Sequence, residues 1–446
     1  MRKVGLGATI GIIVMIILYL FLKESMPKDV SRLPFLVGLL ILDMYLWSSL
    51  RKFIFLYHKA IIYSLMTLYW LPALALIGSA ISSFFIDFDS WNDTFRTYFI
   101  GTIFVFYVAK MVPLLFLFLN DLLRLIRYII HLLTPKSQKQ IDDEFRNSRS
   151  KFLRQFSLIT GGIFLGSLIM GMVKWAYDFK IWKHRVSLPN LPQSFNGFRV
   201  VQISDMHLGT MATENSLKEA VRMINELKPD VIFFTGDLVN YATSEAFRFQ
   251  HVLADLEAKH GIYATLGNHD YGDYKKWDSA EEKQENMEDL YDFFRDLRWK
   301  LLNNENDVIE MNGEQIAVLG VENWSAYPRF PKRGDMKKAL KDVGSVPVKL
   351  LLSHDPTHFS SEVVQSYPEI DIAFAGHTHG MQFGIEIPGV KWSPAKYMYK
   401  HWAGLYEDTR HGKPQYLYVN RGLGVIGYPG RIGIMPEITL MELTKA

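Results

Sequence analysis

The chain has 446 residues, room for more than one domain, and its 49 Lys and Arg stand against 46 Asp and Glu. The net charge of +3 decides little, because the charges are segregated, and no basic stripe or low-complexity tract suggests a nucleic-acid partner. There is no Cys, which excludes disulfides, thiolate nucleophiles and Cys-based zinc or iron–sulfur sites.

Residues 4–22 are almost wholly apolar after Arg2 and Lys3. A helix crossing the hydrocarbon needs about 20 apolar residues. A secretory signal would show a small-residue cleavage site, and none follows. Further apolar segments occupy residues 34–56, 61–86, 98–119 and 156–173, giving five expected spans in a transmembrane helical domain over residues 1–178. The second is interrupted by Asp43, Arg51 and Lys52.

Lys and Arg in the connections set the orientation. The connection 120–155 carries Arg124, Arg127, Lys136, Lys139, Arg146, Arg149, Lys151 and Arg154, whereas 87–97 has three Asp and one Arg. The basic connection is expected in the cytoplasm. Five spans then place the N-terminus inside and everything after residue 173 outside, as a multi-pass protein with an extracytoplasmic domain. Lys174, Lys180, Lys183 and Arg185 pull the other way but are fewer.

Asp43 and Lys110 fall inside expected spans. The preferred reading is a snorkelling Lys110 and a span shortened near Asp43; the rival is a functional pair. Residues 122–133 are apolar with interspersed bases, and either lengthen the fourth span or lie in the interface. Trp175, Tyr177 and Trp182 suit the headgroup level. Pro189 and Pro192 mark residues 179–197 as an extended linker.

From residue 198 to 446 the pattern alternates. Apolar, β-branched runs at 199–204, 231–235, 262–266, 316–321, 348–353 and 370–375 read as strands, and 416–420 and 437–443 as closing strands. Helical spacing appears at 214–227 and 245–259, and helix-compatible stretches precede the later strands. The expectation is an α/β domain with helices on a largely buried sheet.

Five strand ends carry metal-capable donors: Asp205 and His207; Asp237 and Asn240; Asn268, His269 and Asp270; His354; His377 and His379. Singly each is an ordinary polar turn. Their recurrence on successive strand ends points to one constellation, because chemistry in open α/β sheets sits beyond the carboxyl ends of strands. Gly236, Gly267 and Gly376 stand just before three clusters, where the backbone must come close. Oxygen and imidazole donors without sulfur suit Mn, Fe, Zn or Mg. They exceed the need of one tetrahedral ion and suit two divalent metal ions, which acidify a shared water and clamp both oxygens of an in-line phosphoryl displacement.

The order Asp-X-His, Gly-Asp-X-X-Asn, Gly-Asn-His-Asp, a lone His and Gly-His-Thr-His resembles the calcineurin-like metallophosphoesterases from residue 198 onward. The resemblance implies a β-sandwich flanked by helices and a metal-bridging hydroxide as nucleophile. It implies that Asp205, His207 and His379 hold one metal and Asn268, His354 and His377 the other, with Asp237 between them. His269 matches the substrate-facing His. Many members have an Asp where this chain has Asn240; a neutral amide orients His269 but does not stabilise its charged form as a carboxylate does. Asp270 is either the partner of His269 or a structural cap, the cap being preferred. Several spans ahead of such a domain, with Gly404-Leu405-Tyr406-Glu407 and Arg421-Gly422-Leu423-Gly424 near its end, resemble the multi-pass "transmembrane protein with metallophosphoesterase domain" group. That group is similar to bacterial enzymes cleaving the pyrophosphate of UDP-2,3-diacylglucosamine. Met381 departs from the usual second Gly after Gly-His-Thr-His.

Arg421 either grips a phosphate bidentately as a catalytic residue or is structural. Between residues 382 and 406 stand Phe383, Trp392, Tyr397, Tyr399 and Trp402 with Pro388 and Pro394. They form either a loop packed on its own domain or an apolar lip facing the bilayer. Residues 271–298 are polar and helix-compatible, an insertion rimming the site. The reading is a membrane-anchored phosphodiester or pyrophosphate hydrolase, with the lipid bilayer as partner and a phosphorylated, lipid-linked substrate as one option. The alternatives are a nucleotide or phosphoprotein phosphoesterase, and a catalytically silent scaffold.

Overall fold

The computed structural model describes residues 33–82, 85–86, 91–133 and 141–446. The expected span at 4–22 lies outside them. The other four expected spans are helices: α1 Leu33–Ile54, α2 Lys59–Ser82, α3 Asp93–Leu133 and α4 Ile141–Val173. Each is long and apolar enough to cross a membrane. Residues 122–133 continue α3 rather than forming a separate helix.

The described residues form two compact units, one from residues 33–86 and 102–166, the other from residues 91–101 and 167–446. In the first, large side chains such as Phe35, Met44, Tyr63 and Leu74 are exposed along the helices, as lipid-facing residues are. Its interior holds an ion pair. Lys110 Nζ donates to Asp43 Oδ1 at 2.6 Å, Tyr107 Oη to Asp43 Oδ2 at 2.8 Å, and Tyr69 Oη to the Asp43 carbonyl at 2.7 Å. The rings of Tyr69 and Tyr107 also flank the ammonium. This corrects the snorkelling reading: periodicity could not show that α1 and α3 turn these charges toward each other, which lowers the cost of each.

The second unit is a sandwich. One sheet runs β1 Lys180–Leu188, β14 Glu437–Lys445, β2 Phe198–Ile203, β3 Val231–Phe234, β4 Ile262–Ala264, β5 Lys300–Leu301. The other runs β12 Gly404–Asp408, β13 Gln415–Val419, β9 Ile372–Ala375, β8 Lys349–Leu352, β7 Glu314–Gly320, β6 Glu305–Met311. Strands β2 to β5 are parallel, as are β7, β8, β9 and β13. Alternate residues explain their unbroken apolar runs. Val231 and Phe233 face the other sheet, where Phe233 meets Phe374 at 5.1 Å between ring centroids. Ile232 and Phe234 face the helical layer of α5 Glu214–Glu226 and α6 Ala280–Asp296. Both faces of β3 are buried, so its residues do not alternate with polar ones.

The expected linker needs correction. Lys180–Leu188 is a strand, paired in parallel over its whole length with the C-terminal β14. Its sequence, KIWKHRVSL, carries three bases on an edge strand and hides its strand character. The expected helix 245–259 is two short helices, Ser244–Phe247 and Gln250–Leu253.

A candidate metal centre at the strand ends

All five motifs end strands of the sandwich. The side chains of Asp205, His207 and His379 converge, and so do those of Asp237, His354 and His377. His207 Nε2 lies 3.1 Å from His379 Nε2, which lies 3.3 Å from Asp205 Oδ1. In the second group His354 Nε2 lies 3.2 Å from His377 Nδ1. The groups share an atom: Asp237 Oδ2 is 3.2 Å from His354 Nε2 and 3.6 Å from His207 Nε2.

The backbone is bent to achieve this. Asp205, His207, Asp237, His377 and His379 all have φ between 44° and 69°, a left-handed region costly for these residue types and concentrated at functional sites. The glycines allow the approach. A Cβ on Gly376 would collide with Ser204 Oγ and the Asp205 carboxylate, and one on Gly267 with Asp237 Oδ1.

Each donor is oriented from behind. His354 Nδ1 donates to the Thr235 carbonyl at 2.6 Å, leaving Nε2 for a ligand. The His377 amide donates to both Asp205 oxygens at 2.9 and 3.0 Å. The His269 amide donates to Asp237 Oδ1 at 2.9 Å, leaving Oδ2 for the shared position. Asn268 Nδ2 donates to Tyr274 Oη at 2.9 Å, and Asn268 Oδ1 is buried without a hydrogen-bond partner among the described residues. Such an orphaned buried oxygen fits a cation.

The charges agree. Burial alone would raise the carboxyl groups of Asp205 and Asp237, but neighbouring imidazoles outweigh it and hold both below the usual range. Burial would lower His354, yet Asp237 and Asp205 push it up to about 10. Burial pushes His207 well down and keeps it neutral. Two ionised, buried carboxylates that draw a proton onto a neighbouring imidazole form a site that favours positive charge, and a metal ion would displace that proton.

Two residues expected to act at the site have other occupations, and a third takes its preferred role. Arg421 is buried; its Nη1 donates to Glu437 at 2.5 Å and its Nη2 to Glu386 at 2.6 Å, with Trp182 stacked 4.3 Å from the guanidinium carbon. Two carboxylates already use the fork that would have gripped a phosphate. Asn240 touches His269 through its main-chain oxygen, which accepts from Nδ1 at 2.8 Å, not through its amide. Asp270 is the expected cap, accepting from the amides of Gly267, Asp237 and Leu238. Burial and the nearby Asp237 push its carboxyl up to about 7.

Several neighbours were not read from the sequence as parts of the site. Tyr274 stacks on His269 at 4.3 Å between centroids. Tyr399 Oη lies 3.0 Å from His377 Nε2, and Asp355 Oδ2 3.5 Å from the same atom. Glu245 holds the amides of Asn240, Tyr241 and Ala242. Arg431 is fully buried and bonded to the carbonyls of Arg421, Gly422 and Gly424, with its Nη2 3.5 Å from His379 Nδ1. An aromatic five residues after His269 and a Glu five after Asn240 were visible, but neither spacing has a meaning before the turn is known.

Comparison with known proteins follows the same division of the chain. "Probable Calcineurin-like phosphoesterase, transmembrane domain" matches residues 30–175, and "Calcineurin-like phosphoesterase" matches residues 198–381. The chain is 30% identical over 286 residues to the "Transmembrane protein with metallophosphoesterase domain" of Danio rerio, covering 62% of this chain and 60% of that one. It is 31% identical over 301 residues to the "UDP-2,3-diacylglucosamine pyrophosphatase LpxG" of Chlamydia trachomatis serovar D, covering 57% of this chain and 86% of the other. It is 28% identical over 305 residues to the "Uncharacterized metallophosphoesterase YkuE" of Bacillus subtilis, covering 66% of this chain and 97% of the other. The match thus spans 60% of the length of the Danio rerio relative.

Proposed function

The chain belongs to the calcineurin-like phosphoesterase family and is an integral membrane protein, and from that premise we propose that it hydrolyses phosphodiester or pyrophosphate bonds with two divalent metal ions. The observation that carries this reading is the single oxygen of Asp237 lying 3.2 Å from His354 and 3.6 Å from His207. A carboxylate oxygen common to two donor groups suits two adjacent cations better than one. Asp205, His207 and His379 would hold the first, Asn268, His354 and His377 the second, with Asp237 bridging. Two such ions, when bound, acidify a water and neutralise the phosphoryl oxygens of an in-line displacement.

His269 is the group that meets substrate. Its Nδ1 proton is fixed on the Asn240 carbonyl and its ring is clamped by Tyr274, which leaves Nε2 to exchange a hydrogen bond or proton with a substrate oxygen. The carbonyl is neutral, so it orients the ring without holding it charged. Tyr274 Oη accepts from Asn268 and keeps its own proton to donate.

The substrate class follows from the anchoring. A chain with four candidate membrane helices works beside lipid, and the similar Chlamydia protein is named for an acylated nucleotide sugar. A lipid-linked phosphoester or pyrophosphate is therefore the proposed substrate. The side is extracytoplasmic: α3 and α4 are joined by the basic connection, and their other ends, residues 91–101 and 167–173, belong to the catalytic unit.

The test is hydrolysis of bis-p-nitrophenyl phosphate by purified full-length protein, stripped of metal and then given Mn²⁺. Turnover that appears with the metal supports the proposal. No turnover by a protein that binds no divalent ion would remove it in favour of a scaffold.

A further inference from the structure

The hairpin that follows the last metal-capable histidine leaves its apolar face exposed. Strands β10 Ile385–Ile387 and β11 Val390–Trp392 pair antiparallel, with Ile385 opposite Trp392, Glu386 opposite Lys391 and Ile387 opposite Val390. Side chains alternate along a strand and match across a pair. One face is therefore Ile385, Ile387, Val390 and Trp392, and the other is Glu386 and Lys391. In water the charged face would look out. Here Glu386 is tied to buried Arg421 at 2.6 Å, and Lys391 Nζ donates to the Ala403 carbonyl at 2.6 Å. The apolar face is open: Ile385 is 49% exposed, Ile387 59% and Val390 48%, with Trp392 half-buried, whereas on the other face Glu386 is half-buried and Lys391 stays exposed with its Nζ bonded. In the next turn Tyr397 is 74% exposed.

The root of this hairpin is bonded to a membrane helix through a short strap. Gly384 N donates to the Ile432 carbonyl at 2.9 Å, and Ile432 N to the Gln382 carbonyl at 2.8 Å. One residue earlier in the strap, Arg431 N donates to the Gly171 carbonyl of α4 at 3.2 Å, and Tyr428 Oη donates to the Leu168 carbonyl at 2.5 Å. Residues 168–171 lie within the apolar span 155–177. The strap thus joins the hairpin root to the end of a helix that crosses the bilayer.

We propose that the β10–β11 hairpin inserts its apolar face into the leaflet adjoining the catalytic unit. The occupant of this face is lipid acyl chain, because the root of the hairpin is bonded through the strap to a spanning helix and the face carries no charge. Its flanks fit a headgroup layer: Trp392 and Tyr397 are interfacial residue types, and Lys396 and Lys400 are exposed cations that suit lipid phosphate. Insertion gives the metal centre a defined relation to the membrane. Between His379 and the hairpin lie only Gly380 to Gly384, with Met381 and Phe383 exposed at 38% and 36%. A phosphoester at the headgroup level would then reach the histidines while its chains stay along the hairpin. This second half rests on the phosphoesterase reading; the insertion does not.

The absence of Cys makes the test clean. Full-length Ile387→Cys and, independently, Val390→Cys are labelled with an environment-sensitive fluorophore in phosphatidylcholine–phosphatidylglycerol nanodiscs, with exposed Lys341→Cys as the aqueous control. The expected result is a blue-shifted emission at 387 and 390, quenched several-fold more by doxyl-labelled lipid chains than by iodide, with the order reversed at 341. Iodide quenching at 387 and 390 equal to that at 341 would overturn the insertion. So would protection from both quenchers, which marks a protein interface. Hydrolysis of bis-p-nitrophenyl phosphate by the same labelled protein separates the two readings. Turnover with an aqueous label sinks insertion alone, and a chain-quenched label without turnover sinks the phosphoesterase alone.

Discussion

Replacing Arg421 by Met tests whether this residue acts on substrate or holds the fold. Its guanidinium is buried between Glu437, itself fully buried, and Glu386, 15% exposed. Removing the cation leaves Glu437 with only Tyr418 Oη at 2.5 Å and Thr439 Oγ1 at 2.6 Å as side-chain donors. Breaking one partner of a buried ion pair costs about 3–5 kcal/mol. Glu386 reaches water and adds little. For a domain of this size that is a fall in melting temperature on the order of 10 °C. The assay is thermal unfolding of the full-length protein in nanodiscs by intrinsic fluorescence, with kcat for bis-p-nitrophenyl phosphate measured well below the transition. The expected result is the large thermal shift with kcat of the folded protein changed less than about threefold. Adding Glu437→Gln to Arg421→Met should recover part of the loss, because the unpaired charge is then gone. An unchanged melting temperature with kcat down about a hundredfold would refute the structural assignment and return Arg421 to the phosphate.

Tyr274→Phe removes the acceptor of the Asn268 amide and the free phenolic proton beside His269 while keeping the stacked ring; kcat should fall about tenfold, in the range of one lost oriented hydrogen bond, with the fold intact by thermal unfolding. Asp43→Asn and Lys110→Met should each lower the thermal stability of the membrane unit, and the double variant should lose less than the sum of the two; single variants as stable as the parent would show that the pair contributes nothing. His358 gives a pH dependence: burial lowers it to about 3, so the folded state resists a proton that the unfolded chain accepts at its ordinary value of 6.5. Stability from this group is complete above pH 6.5 and is lost as the pH falls, by about 1.4 kcal/mol per unit. Melting temperatures between pH 8 and 5 should therefore fall more steeply for the parent than for His358→Gln.

The buried parallel strands and the donors at their ends were legible because both obey short-range rules. A run such as Val231 to Phe234 has one stable place, between two layers, and the Asp or His after it has one side to emerge on. Edge strand β1 was not legible: its bases face solvent, and its pairing with β14 lies more than 250 residues away in sequence. Long-range partners decided the other misses as well. Nothing near Arg421 announces that Glu386 and Glu437 will take its guanidinium, and nothing near Asp43 announces Lys110. Asn240 shows a different limit, because residue identity speaks for the side chain whereas its contact with His269 is made by the main chain.

The central claim is that two metal ions share Asp237, and metal content tests it most directly. Full-length protein and Asp237→Asn, both stripped and reloaded with Mn²⁺, would be passed free of excess metal and assayed for metal per chain. The account predicts two ions in the parent and at most one in Asp237→Asn, with hydrolysis lost in the variant. A single ion in the parent, or the same content in both proteins, would contradict it.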